Sequence, residues 1–76
     1  MITIESRNCD SMRLTHTFET PAALLKDLTS DDPSMGDNEI LLVSQTGVGV
    51  LYSSLGRKAD SYEDTVRTAD LVEWFS

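Results

Sequence analysis

The hydrophobic pattern concentrates in one stretch. Residues 39–55 read EILLVSQTGVGVLYSSL, and after Glu39 no position in it is charged. Branched aliphatics on both sides of Gly47 and Gly49 predict a buried β-hairpin at the centre of the fold. With Thr46-Gly47 as a two-residue turn, Gln45 pairs with Val48, Val43 with Val50, Leu42 with Leu51 and Leu41 with Tyr52. One face then carries Leu41, Val43, Val48, Val50 and Tyr52, and the other carries Ile40, Leu42, Leu51 and, if the strand continues, Leu55. Both faces are apolar. The first strand is therefore expected in the middle of a sheet, covered on both sides, unless the second face meets a partner.

The rest of the chain alternates in ways that can cover this hairpin. Ile2 and Ile4 alternate with Thr3 and Glu5, and Met12, Leu14, His16 and Phe18 alternate with Arg13, Thr15, Thr17 and Glu19. This period of two predicts two half-buried strands. Between them, residues 6–11 include Asn8 and Asp10, which tolerate turn conformations, so the pair is expected to form an antiparallel hairpin. Thr20-Pro21 marks a helix start: threonine caps free amides, and proline at the first helical position loses no hydrogen bond. Pro21, Leu24, Leu25 and Leu28 fall at i, i+3, i+4 and i+7, an apolar stripe suited to lie across the sheet, with Leu25 expected in the core. The helix should end near Thr29 or Ser30. Residues 31–38, DDPSMGDN, read as a loop.

Residues 56–61 are polar and read as a loop, and residues 62–68 carry a weak strand pattern with Tyr62, Asp64 and Val66 on one side. The end is clearer. Asp70 followed by Glu73 resembles a capping box with Asp in the capping place, and Leu71, Trp74 and Phe75 share a helical face, so a short C-terminal helix is expected. With so few aromatics in the chain, Trp74 and Phe75 are assigned to the core. The fold class expected is α+β, one small domain over residues 1–76, with an antiparallel sheet of two hairpins in ββαββ order, room for a fifth strand, one main helix and a short second one.

Length limits the core. A chain of 76 residues buries only about 60% of its unfolded surface, so a partner or a second copy can contribute to stability. At 39% hydrophobic and 25% charged, the composition is that of a folding globular chain. No run of apolar residues approaches the roughly 20 needed to span a bilayer, and the first residues lack a signal-peptide pattern, so a cytoplasmic location is the default expectation. A single cysteine, Cys9, fits a reducing compartment.

Charge separates the partner classes. The net charge is −7, made of −1 over residues 1–20, −4 over residues 21–39, zero over residues 40–55 and −2 over residues 56–76. Only six basic residues are present, with no run longer than Arg57-Lys58, which disfavours direct binding to nucleic acid or to anionic membranes. Basic protein surfaces are favoured.

Specific chemistries fail on spacing. Gly47-Val48-Gly49 opens like a dinucleotide fingerprint, but Tyr52 stands where the third glycine belongs and a strand follows instead of a helix. Counted as a calcium loop from Asp31, Gly36 falls correctly at the sixth place, while Pro33, Met35 and Leu42 occupy ligand positions. His16 is the only histidine, and neither it, Cys9 nor Ser53-Ser54 matches a nucleophilic signature. No enzyme activity, metal or cofactor is expected.

What remains is interaction. The expected contact surface is Asp27, Asp31, Asp32, Asp37 and Glu39, with a second group at Asp60, Glu63 and Asp64, facing a basic surface on another protein. Where that partner binds nucleic acid, such carboxylates imitate phosphates and inhibit it. In size and charge the chain resembles the short acidic proteins of phages and mobile elements, including anti-restriction and anti-CRISPR proteins. Its strand, strand, helix, strand opening is also similar to that of ubiquitin-like β-grasp folds, which implies an adaptor using a sheet face. The chain ends Trp74-Phe75-Ser76 without a terminal glycine pair, which counts against conjugation. A homodimeric structural subunit is the remaining alternative.

Overall fold

The computed structural model describes residues 1–36, 38–54 and 66–76. The elements run β1 (Ile2–Arg7), β2 (Arg13–Phe18), α1 (Pro21–Leu28), β3 (Glu39–Gln45), β4 (Gly49–Ser53) and α2 (Thr68–Phe75). The strands form one sheet in the order β2-β1-β3-β4, with every neighbouring pair antiparallel. This is the expected α+β arrangement with a short C-terminal helix. The expected strand, strand, helix, strand order of the opening is present.

Local chemistry explains the boundaries. In the β1–β2 turn the Asn8 side-chain oxygen accepts from the amides of Asp10 and Met12 at 3.0 and 2.9 Å, as expected of a residue that mimics a backbone turn. Met12 lies outside β2 and is exposed, so the strand begins one residue later than its alternation suggests. At α1, the Thr20 hydroxyl accepts from the Ala23 amide at 3.2 Å, and Pro21 opens the helix. The buried centre of its stripe is Leu24, with Leu25 and Leu28 half-buried, which shifts the expected anchor by one residue. Leu28 still packs against the core.

The acidic loop contributes more than solvation. Met35 is fully buried and belongs to the central cluster with Ile2, Ile4, Leu24, Ile40, Val43, Val66 and Leu71. Burying a methionine side chain stabilises by about 1.5–3 kcal/mol. The loop is therefore pinned at its middle. Turn bonds from Gly36 N–H to the Pro33 carbonyl and from Asn38 N–H to the Met35 carbonyl hold that residue inward.

The central hairpin departs from the simple reading. Val48 N–H donates to the Gln45 carbonyl at 3.0 Å, and Gly47 has φ of 85°, the positive angle a type II turn requires at its third residue. Gln45 then pairs with Gly49, so the loop is three residues, 46–48, instead of two. Two irregularities follow. Between β1 and β3, Glu5 pairs with Leu42 and Ser6 with Ile40, leaving Leu41 as an extra residue. Between β3 and β4, Val43 pairs with Tyr52 and Ser44 with Val50, leaving Leu51 extra. Each bulge resets the alternation by one residue.

The expected face assignment is corrected accordingly. Ile40, Val43 and Tyr52 share the face that carries Ile2 and Ile4 and is covered by Leu24 and Leu71 of the two helices. Val50 turns to the opposite face, where it is exposed together with Thr15 and Thr17. Leu41 is buried outside the central cluster. β3 is central in the sheet, as two apolar faces require.

The C-terminal helix starts at Thr68, two residues before the capping position expected from sequence. Asp70 lies inside the first turn, and its carboxylate accepts from the Arg67 amide at 2.8 Å, the reach-back half of a capping box. Before it, Val66 bridges to Ile40, with Ile40 N–H donating to the Val66 carbonyl. The weak strand pattern at residues 62–68 and the loop at residues 56–61 otherwise lie outside the described residues up to residue 65. Leu71 is fully buried and Phe75 packs against the core, whereas Trp74 is 47% exposed. The core assignment thus holds for Phe75 and is corrected for Trp74.

Candidate functional site

Of the eight acids expected to form a contact surface, Asp37, Asp60, Glu63 and Asp64 lie outside the described residues. The other four separate into two kinds. Asp27, at the end of α1, is half-buried and accepts from the Ser34 hydroxyl at 2.8 Å and from the Ser34 amide at 3.3 Å. Its carboxylate ties the acidic loop back to the helix. Glu39 lies opposite Arg7 across β1 and β3 and forms an ion pair at 2.6 Å. Both carboxylates are partly committed within the fold. Asp31 and Asp32 are exposed and make no ion pair among the described residues.

The basic side chains are equally informative. Arg7 pairs with Glu39, and Arg13 pairs with Glu5 at 3.2 Å, so the outer sheet face is locally neutral at that end. Such half-exposed pairs contribute about 0–1 kcal/mol to stability. Their larger effect is on charge. Exposed acids without an ion pair among the described residues are Asp10, Glu19, Asp31, Asp32 and Glu73, spread over the β1–β2 turn, the end of β2, the loop after α1, and α2.

A second feature was not foreseen as a site. The bulge in β4 leaves Leu51 42% exposed, and Trp74 stands beside the same hairpin with its ring 6.5 Å from that of Tyr52, tilted at 50°. A shallow groove of about 410 Å³ is lined here by Gln45, Leu51, Trp74 and Phe75. Val48 and Val50, each 62% exposed, belong to the same hairpin. Leu51 and Trp74 form a small apolar patch of the kind that marks contact sites, while Val50 is exposed on the opposite face of the sheet. The sequence carried one signal for it: the hairpin has more apolar positions than a single covered face can use. The bulges that choose which residues turn outward left no such mark.

The candidates for chemistry sit apart. The Ser6 hydroxyl is fully buried, accepts from Asn38 Nδ2 at 3.2 Å and lies 3.3 Å from His16 Nε2. With Asn38 on one lone pair, the hydroxyl keeps a second lone pair and its proton, so it can accept from or donate to the imidazole according to the histidine tautomer. This places His16 in a satisfied polar cluster at the core's edge, where a buried serine has no access to substrate. Cys9 is exposed in the β1–β2 turn. The Ile4–His16 rung is three residues from the Arg7–Arg13 rung where that turn begins, about 10 Å along the strand, so the fold does not assemble a Cys-His pair. Among the described residues no three His, Cys, Asp or Glu side chains come together as metal ligands. No helix among them is long and apolar enough to cross a membrane.

Comparison with protein-family models, curated proteins and solved structures yields no match. Function is therefore argued from the residues themselves.

Proposed function

We propose that the protein is a small acidic interaction module that binds a basic surface on another protein, and that it inhibits a nucleic-acid-binding partner by occupying its phosphate-binding surface. The observation that supports this reading is the placement of charge. Asp31 and Asp32 stand exposed on a loop whose backbone is fixed by Met35 and by the Asp27–Ser34 bonds, and among the described residues no cation pairs with them. Two carboxylates on a pinned loop lose less conformational entropy on binding than the same charges on a free tail. In a molecule of net charge −7 they also attract a cationic partner over distances of about a Debye length, which speeds encounter. By their charge in the sequence, Asp37, Asp60, Glu63 and Asp64 are assigned to the same contact in this reading. An adaptor without inhibitory action and a homodimeric structural subunit are the rival readings.

One experiment separates them. The protein is immobilised, partners are captured from its host, and the retained protein is challenged with duplex DNA and, separately, with salt. Release of a nucleic-acid enzyme by both, with loss of capture in an Asp31→Asn/Asp32→Asn variant, is the expected result. Release by salt but not by DNA favours the adaptor. Recovery of only a second copy favours the structural subunit and removes the proposal.

A further inference from the structure

We infer that the outer edge of β2 is the seat of a second copy of the chain: two β2 strands pair antiparallel about a two-fold axis at His16 and join two four-stranded sheets into one. This is independent of the reading above, because the acids of the loop after α1 take no part in it.

The two ends of the sheet are built differently. β4 carries the bulge at Leu51 and begins at Gly49, whose φ is 98°, and irregularities of this kind keep an edge from templating a further strand. β2 carries none of these devices. Its pairing with β1 runs from Arg13–Arg7 to Phe18–Ile2 without a shift, it contains neither proline nor glycine, and among the described residues β1 is its only neighbouring strand. Alternate backbone N–H and C=O groups of such a strand point away from the sheet.

Side chains then choose the occupant. In an antiparallel pairing centred on His16, Leu14 stands opposite the partner's Phe18, Thr15 opposite the partner's Thr17, and Arg13 opposite the partner's Glu19, with each rung repeated by symmetry. Apolar, threonine and opposite-charge pairs of this kind are the ones that stabilise a sheet. Leu14, His16 and Phe18 share a face with the buried Ser6, Ile4 and Ile2 but are themselves only half-buried, so they keep surface for a neighbour to cover. Glu19 has no ion pair among the described residues, and the Arg13 side chain is 57% exposed in its pair with Glu5, with donors to spare. Other registers lose the match. A slip of one residue inverts the faces, and a slip of two sets Arg13 opposite the partner's Thr17 or Glu19 opposite the partner's Thr15. Residues 13–19 hold one arginine and one glutamate and sum to zero, whereas residues 21–39 carry −4, so two acidic molecules meet here through a neutral strand.

Sedimentation of the full chain at rising concentration should show monomer passing to dimer, and hydrogen exchange should show protection growing with concentration at alternate amides of β2. Glu19→Arg then separates register from net charge. It turns one charge of −1 into +1, so −7 becomes −5, and general repulsion alone would tighten the dimer. The register sets arginine against arginine twice and should weaken it about tenfold. Arg13→Glu should weaken it as much, and Arg13→Glu/Glu19→Arg should return to within about threefold of the parent. Both positions are exposed, circular dichroism checks that each variant folds, and the exchange measurement needs no variant. A monomer at every concentration overturns the inference. So does a dimer that Glu19→Arg tightens or leaves unchanged, or one that the double variant fails to restore. Protection gained at β4 or α2 instead of β2 would move the contact to the face of Leu51 and Trp74 and overturn it as well.

Discussion

Leu24 and Leu25 are adjacent leucines on the same helix, and the difference between them shows how burial at a single position is decided. The stripe Pro21, Leu24, Leu25 and Leu28 allowed either to be the anchor, and periodicity alone does not rank positions three and four residues from the same start. In the fold, Leu24 is fully buried and belongs to the core cluster with Ile2, Ile4 and Val43, while Leu25 is half-buried. Leu24→Ala should therefore cost about 2–5 kcal/mol in urea or thermal unfolding, clearly more than Leu25→Ala. Reversal of that order would displace Leu24 from the core. Ser6 makes a second case at this scale. It is fully buried and joins Asn38 to His16, so Ser6→Ala should destabilise by about 1–3 kcal/mol through the polar partners left without it. An unchanged midpoint in denaturant would show that both partners find replacements in water.

At the scale of elements, the six pieces and their order were legible because each carries its own local signature: alternation in β1 and β2, Thr20-Pro21 at α1, and an apolar run with glycines for β3 and β4. Register was not. The loop of residues 46–48 and the extra residues Leu41 and Leu51 are outcomes of packing between strands, and a one-residue slip exchanges every side chain between faces. This is why Val50 was expected beside Val43 and is found on the other face, and why the groove at Leu51 escaped sequence reasoning. The same limit applies to Trp74. Helical periodicity placed it beside Leu71 and Phe75 without showing that the stripe is too wide to bury entirely. Two element-level tests follow. Gly47 has φ of 85°, so Gly47→Ala should destabilise by about 1–2 kcal/mol although the added methyl has open space around it. Asp70→Ala removes the carboxylate that accepts from the Arg67 amide and should lower stability by about 0.5–2 kcal/mol, read as an earlier loss of helical ellipticity on heating. A melting curve identical to that of the parent would mean that water replaces this cap at no cost.

For the molecule as a whole, the question is whether its charge serves folding or binding. Seven uncompensated negative charges on a particle 32 × 30 × 20 Å across repel one another, and the folded state suffers more than the expanded unfolded chain because its charges are closer. Asp31 and Asp32 add a further disadvantage by following the negative end of α1. Nothing they touch among the described residues offsets it. The Asp31→Asn/Asp32→Asn variant, with net charge −5, should therefore be more stable than the parent, melting roughly 2–4 °C higher at about 10 mM salt, where the screening length of about 30 Å matches the size of the molecule. At about 0.3 M salt the screening length falls to roughly 5–6 Å and the advantage should shrink toward zero. The ion pairs Arg7–Glu39 and Arg13–Glu5 are the same in both proteins, so their own screening cancels from the comparison. Binding should move the other way: the variant loses affinity for a cationic partner, most strongly at low salt. A gain in stability together with a loss in binding is what residues kept for a partner should give. If the variant is less stable at low salt, the two aspartates have a structural part in the loop, and the case for them as contact residues falls.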